Sequence, residues 1–210
     1  MTNPQADARE LQTLDLVRLA QQGHDEAMNE IFARYSDRVR KIVGMRLGKG
    51  SRLDEDSGDI LQMAFADAFK GLDRLTMHDE SSLLRWLATI VKNRILESKR
   101  SSHAARRDRR LEVPIEAPNQ DGEVRSLPLL ANLRTPSMEV GRAEEAGTVR
   151  DCIASLPEKY SEVIIQRDYV QSSWAEIAEE LDFPSPDAAR ALYDRGLNKL
   201  GAELRRRGIG

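Results

Sequence analysis

Residues 173–200 read SWAEIAEELDFPSPDAARALYDRGLNKL, and the C-terminal fold follows from them. Ser173 followed three residues later by Glu176 spells a capping box: the serine hydroxyl takes the N3 amide and the glutamate reaches back to the cap. The helix so started carries Trp174, Ile177, Ala178 and Leu181 at i, i+3, i+4 and i+7, one apolar face. Asp182 to Pro186 is a short connector. Ser185 can cap the next helix, with Pro186 at its first position. Ala189, Tyr193, Gly196 and Leu200 then fall on one side. Two helices with a tight connector form a helix-turn-helix, whose second helix lays its N-terminal part in a DNA major groove. The outward positions there are Asp187, Ala188, Arg190, Ala191, Asp194 and Arg195, with Ser185 at the cap. Arg190 and Arg195 could reach guanine edges or phosphates. The same apolar spacing would also suit a purely structural helical hairpin.

Upstream the pattern stays helical. In LVRLAQQGHDEAMNEIFARYSDRVRKIV (16–43), Met28, Ile31, Phe32, Tyr35, Val39, Ile42 and Val43 recur at steps of three and four. Asp25 is the expected N-cap there. Ile60, Leu61, Ala64, Phe65, Ala68, Phe69 and Leu72 make a second stripe, and Leu83, Leu84, Trp86, Leu87, Ile90, Val91 and Ile95 a third. A polar loop, Asp73 to Ser82, separates these two. Residues 111–140 carry four prolines and no lasting periodicity, so they read as an extended or partly disordered linker. A loop that long inside one compact unit is unusual. The expected fold is therefore all-α: two small helical domains, 11–110 and 141–207, joined by a flexible linker at 111–140, the second a helix-turn-helix.

Composition narrows the function. A lone cysteine, Cys152, excludes a disulfide framework and a thiolate zinc site. His24, His78 and His103 lack ligand spacing, so no metal or cofactor is expected. GMRLGKGS (44–51) fails as a phosphate loop, because Gly50 rather than Ser or Thr follows Lys49. No hydrolase, zinc-protease or dinucleotide signature is present. Single carboxylates such as Glu162 read as surface groups, and an enzyme is not expected. The opening MTNPQADARE is polar, and no run nears the roughly 18–20 apolar residues of a membrane span. The expected location is the cytoplasm, with no membrane partner.

Net charge is −3, which rules out a uniformly basic coat, yet charge is unevenly placed. Residues 85–110 hold nine basic side chains against two acidic, and 190–210 hold six against two. Acids gather at Asp54, Glu55, Asp56 and Asp59. Two basic islands on a near-neutral chain suit two surfaces that meet phosphate; solvated helix faces are the plainer reading.

Four blocks, in order, resemble the extracytoplasmic-function (ECF) group of sigma factors of bacterial RNA polymerase. They are the 16–43 segment, DSGDILQMAFADAFKGLDRL (56–75), LLRWLATIVKNRILESKR (83–100) and LPEKYSEVIIQRDYVQSSWAEIAEELDFPSPDAARALYDRGLNKL (156–200). The resemblance implies a promoter-specificity subunit whose partners are core RNA polymerase and promoter DNA. Core binding would fall to Asp56, Asp59, Gln62 and Phe65, since a carboxylate-bearing helix suits an Arg-rich partner. The −10 element would be opened and read by Lys92, Asn93, Arg94, Lys99 and Arg100, with an unpaired base captured near the Asp73–Ser82 loop. The −35 element would be read by Ser185, Asp187, Ala188, Arg190, Ala191, Asp194 and Arg195. Trp86 lies on an apolar stripe and reads as core before it reads as a base-stacking platform. The linker, by the same resemblance, would thread the polymerase channel.

Departures accompany the resemblance. Gly58 and Met63 stand where the family carries Glu, so the core-binding face is less acidic. Phosphorylation of Ser57 would restore about −1.5 to −2 of charge, which makes a kinase a further partner to consider beside an anti-sigma factor. Leu192 and Asp194 stand where the family has basic residues or His, so the family's −35 sequence is not transferable. Two alternatives stay open: an autonomous helix-turn-helix regulator, and an interaction protein that sequesters a regulator.

Overall fold

The computed structural model describes residues 12–48, 53–77, 79–108 and 140–208, with backbone alone at 53–56, 80, 102–108 and 140–146. All regular structure among them is helical: α1 (Thr13–Gln21), α2 (Asp25–Leu47), α3 (Leu53–Gly71), α4 (Glu80–Asp108), α5 (Val140–Ser155), α6 (Glu158–Ile164), α7 (Trp174–Glu180) and α8 (Pro186–Arg206). A 3-10 turn, Leu72–Arg74, follows α3, and a π turn, Ile165–Tyr169, follows α6. The all-α expectation holds. The linker expected at 111–140 lies, apart from Val140, outside the described residues.

In the first half, α1 packs on α2, and α2, α3 and α4 pack on one another. Leu16, Val39, Ile42, Leu61, Leu84 and Val91 are buried at the centre, the stripes that the spacing predicts. Thr13 Oγ1 and Tyr35 OH share a buried hydrogen bond of 3.0 Å that ties α1 to α2. Two details differ from expectation. His24, not Asp25, takes the N-cap position of α2; Asp25 lies in the first turn, where its charge complements the helix dipole. Phe69, expected on the buried stripe of α3, is 56% exposed.

In the second half, α6 and α7 pack across α8, and α5 closes the far side. Gly196 makes the α6–α8 crossing tight: a Cβ there would stand 3.3 Å from Ile164 Cδ1 and 3.5 Å from the Tyr160 carbonyl oxygen. The halves meet through α2, which packs on α5, α6 and the π turn. At Gly44 a Cβ would come 3.0 Å from Arg150 Cδ, so the Arg150 side chain of α5 lies directly over this glycine of α2. Buried residues of both halves form one contiguous cluster.

Candidate nucleic-acid interface

The helix-turn-helix forms as the residues dictate. Ser173 Oγ accepts the Glu176 N–H (3.3 Å), and Glu176 Oε2 accepts the Ser173 N–H (2.7 Å). Ser185 Oγ accepts the Ala188 N–H (3.2 Å), so that hydroxyl serves as the cap of α8. Ala189, Leu192, Gly196 and Leu200 face inward. Asp187, Arg190, Ala191, Asp194 and Arg195 are exposed, and Ala188 is half-buried. Leu192 therefore belongs to the core: the step of three from Ala189 turns it away from the outward row. Arg195 Nε donates to the Ala191 carbonyl (3.0 Å), which lays its side chain along the helix.

Side chains of the π turn fix the pitch of α8. Tyr193 OH donates to Asp168 Oδ1 (2.9 Å). Its ring meets Trp174 edge-on at 5.3 Å, and Arg167 covers the other ring with its guanidinium carbon 4.6 Å from the Trp174 centroid. Burial, reinforced by the hydrogen bond to the Asp168 carboxylate, pushes the Tyr193 phenol up to about 12.

On α4 the five singled-out residues divide. Asn93, Lys99 and Arg100 are exposed. Lys92 Nζ lies 3.7 Å from Glu180 Oε1 of α7, and Arg94 pairs with Asp67 of α3 and with Glu97 (2.9 Å). Arg85 reaches Glu176 of α7 and Ser82 Oγ (3.1 Å). Side chains of Arg106 and Arg107, and residues Arg109 and Arg110, lie outside what is described. Trp86 is half-buried with its ring against Gly71, where a Cβ would sit 3.3 Å from Cζ2. That packing gives the ring a structural role.

The segment before α4 is fastened at both ends. Asp79 Oδ1 accepts from the Ser82 N–H (2.8 Å), Ser82 Oγ (2.9 Å) and Ser81 Oγ (2.7 Å), which caps α4. The hydrogen bonds from Ser81 and Ser82 hold the Asp79 carboxyl below its usual range. At the other end, Gln21 Nε2 donates to the carbonyls of Leu72 (3.0 Å) and Leu75 (2.9 Å). His78 lies outside the described residues.

On α3, Asp59, Met63 and Phe69 are exposed, while Ser57, Gln62 and Phe65 are half-buried. The Phe65 ring packs on Phe32, 4.4 Å between centroids, which commits part of its surface. The side chain of Asp56 is outside what is described.

One polar chain joins the halves. Arg46 pairs bidentately with Glu162, Nε to Oε2 at 3.2 Å, and donates Nη1 to the Ala88 carbonyl of α4. Gln166 Nε2 donates to Glu162 (3.5 Å), and Ser172 Oγ donates to Gln166 Oε1 (3.0 Å). Glu162 is thus no surface group: its side chain is 12% exposed and faces an arginine 5% exposed. Sequence reasoning missed Arg46, Gln166 and Gln21, because each partner lies on another element. The Glu162–Gln166 spacing of four was the one local signal.

Among the described residues no cluster of His, Cys, Asp and Glu could hold a metal ion, and no helix is long and apolar enough to cross a membrane. Residues 31–105 match the family model for sigma-70 region 2, and 146–200 that for sigma-70 region 4. The ECF RNA polymerase sigma-E factor of Haemophilus influenzae is 26% identical over 177 residues, 84% of this chain and 87% of the relative. The ECF RNA polymerase sigma factor SigW of Bacillus subtilis is 25% identical over 189 residues, 90% of this chain and 95% of the relative. Among solved structures, CnrH in complex with the cytosolic domain of CnrY shares the fold, with a TM-score of 0.56 at 19% identity over 96% of this chain and 99% of that one.

Proposed function

The chain belongs to the sigma-70 family as an ECF RNA polymerase sigma factor, and from that membership we propose how its surfaces divide the work of initiation. The family binds core RNA polymerase and promoter DNA, and polymerase makes the RNA. A stand-alone helix-turn-helix regulator gains no support, since region 2 occupies residues 31–105 ahead of region 4.

The outward row on α8 reads the −35 element. Asp187, Arg190, Ala191, Asp194 and Arg195 stand at groove-facing steps of three and four, and the two arginines supply base-edge or phosphate contacts. The Asp73–Ser82 segment and the exposed Asn93, Lys99 and Arg100 of α4 take the opened −10 strand, cations on phosphate and the amide on a base. The exposed Asp59, Met63 and Phe69 of α3, with the half-buried Gln62 and Phe65, dock on core polymerase, and Asp56 is assigned to the same contact. Residues 111–140 run through the polymerase channel. Lys92 and Arg94 act differently from the exposed set. Arg94 braces α3 against α4. Lys92 is held by Glu180, and DNA phosphate must replace that carboxylate before Lys92 can join the −10 contact. A protein regulator of the anti-sigma kind is a further proposed partner; CnrH, which shares the fold, forms a complex with the cytosolic domain of CnrY. A kinase acting at Ser57 would add charge beside Asp59.

What carries this division is the exposed row on a capped α8 within a region 4 match, in the same chain as region 2. The test is run-off transcription with sigma-free core polymerase on a pooled promoter library. Co-elution with core and enrichment of a paired −35/−10 motif is the expected result. Duplex binding without core association would overturn it.

A further inference from the structure

Between the 3-10 turn and α4 the described residues Leu75, Thr76, Met77 and Asp79 belong to no regular element, yet hydrogen bonds fasten Leu75 and Asp79. The Asp79 cap secures the far end. At the near end the securing group comes from α1, more than fifty residues earlier in the chain. The Gln21 amide has two N–H donors and uses both, one on the Leu72 carbonyl at 3.0 Å and one on the Leu75 carbonyl at 2.9 Å. Turned the other way, the amide would set its oxygen against two carbonyl oxygens, so chemistry fixes the orientation. Leu72 is buried, and its carbonyl also accepts the Leu75 N–H at 3.0 Å. Gln21 is the last residue of α1, whose Leu16 and Val17 are buried in the core. The clamp is therefore anchored to the rigid bundle. Thr76 is left exposed between the two fastenings, while Met77 packs half-buried on the core. Gln21 lies outside residues 31–105, the stretch matched to region 2.

We propose that Gln21 is a positioning residue for recognition of an unpaired nucleobase: by holding the Leu72 and Leu75 carbonyls it sets the direction in which the loop presents Thr76 to the opened −10 strand. The proposal rests on the reading of the loop given above. Its physical content is preorganisation. A loop ordered before DNA arrives loses less conformational freedom on binding, and offers one shape to the base instead of several.

Charge and donor count separate positioning from mere stability. In Gln21→Lys the ammonium still donates to both carbonyls. In Gln21→Glu the carboxylate can donate to neither and repels both. Full-length wild type, Q21K, Q21E, Q21A and Thr76→Ala are each assembled with core polymerase. Each transcribes a pooled promoter library randomised through the −10 and −35 elements, and the transcripts are sequenced. Wild type and Q21K should show the same base preference. Q21E should flatten preference at one or two adjacent −10 positions by roughly tenfold, the loss of two hydrogen bonds, with −35 preference intact. Unchanged −10 preference in Q21E overturns the proposal. So does uniform loss at every position together with a fall in melting temperature; where Q21E does not fold, Q21A decides by the same criterion. T76A tests the loop itself. Altered −10 preference in T76A but not in Q21E sinks the clamp and leaves the loop reading standing. No change in either variant sinks the loop reading.

Discussion

Arg46 and Glu162 show what one pair of side chains can decide. Both are largely removed from water, and each charge is balanced by the other and by hydrogen bonds to Ala88 and Gln166. A buried pair adds little net stability over apolar packing, but removing one member leaves the other charge stranded, which costs about 3–5 kcal/mol. Glu162→Ala should therefore lower the urea-unfolding free energy by that order, with Arg46→Ala/Glu162→Ala losing less than the sum of the single changes. Nothing local marks Arg46, because its partner lies 116 residues away. Tyr193 makes a pH-dependent contribution. Its phenol titrates near 12 when folded and near about 10 when unfolded, so the neutral form favours the folded state. That stability is complete below about pH 10 and is lost as pH rises toward 12. Unfolding at pH 9 and 11 should show a steeper decline in wild type than in Tyr193→Phe, and equal declines would contradict the assignment.

At the scale of elements, α8 was the most legible helix. Its cap, its N1 proline and its inward step of three to four are local instructions, and the helix runs from Pro186 to Arg206. Its angle to α6 was not legible, since it depends on Gly196 meeting Ile164 and Tyr160. Leu at that position gains about 0.8–1.0 kcal/mol of helix propensity over Gly, while overpacking costs about 1–3 kcal/mol. Overpacking wins. Gly196→Leu should lose roughly 1 kcal/mol in urea unfolding and weaken binding to −35 duplex, because α8 tilts away from α6. A variant as stable as wild type with unchanged duplex affinity would refute the tight crossing. The exposed face of α3 shows the limit of periodicity: Phe69 fits the apolar step yet stays more than half exposed among the described residues.

Across the whole molecule, α7 presents Glu176 and Glu180 to Arg85 and Lys92 of α4, so carboxylates of the second half pair with basic side chains that phosphate would also attract. Partly exposed pairs of this kind are worth about 0.2–1 kcal/mol, which makes the contact easy to exchange. Glu180→Gln should tighten binding of a single-stranded −10 oligomer by up to about fivefold, because Lys92 is freed for phosphate. Glu179→Gln, the same charge change one residue away, should leave that affinity unchanged. Equal behaviour of the two variants would exclude competition between carboxylate and phosphate.

Helix type, the positions of most inward faces, the capped helix-turn-helix and the basic islands were all determined by the sequence alone, because each depends on residues within about one or two helical turns of one another. The tertiary structure decided the rest. It paired Lys92 and Arg94 with carboxylates, drew Glu162 inside, brought Gln21 to the loop before α4 and set the two halves against each other through α2. These outcomes join residues tens of positions apart, and a pattern of spacing carries no record of which distant partner fills a face once the helices have packed.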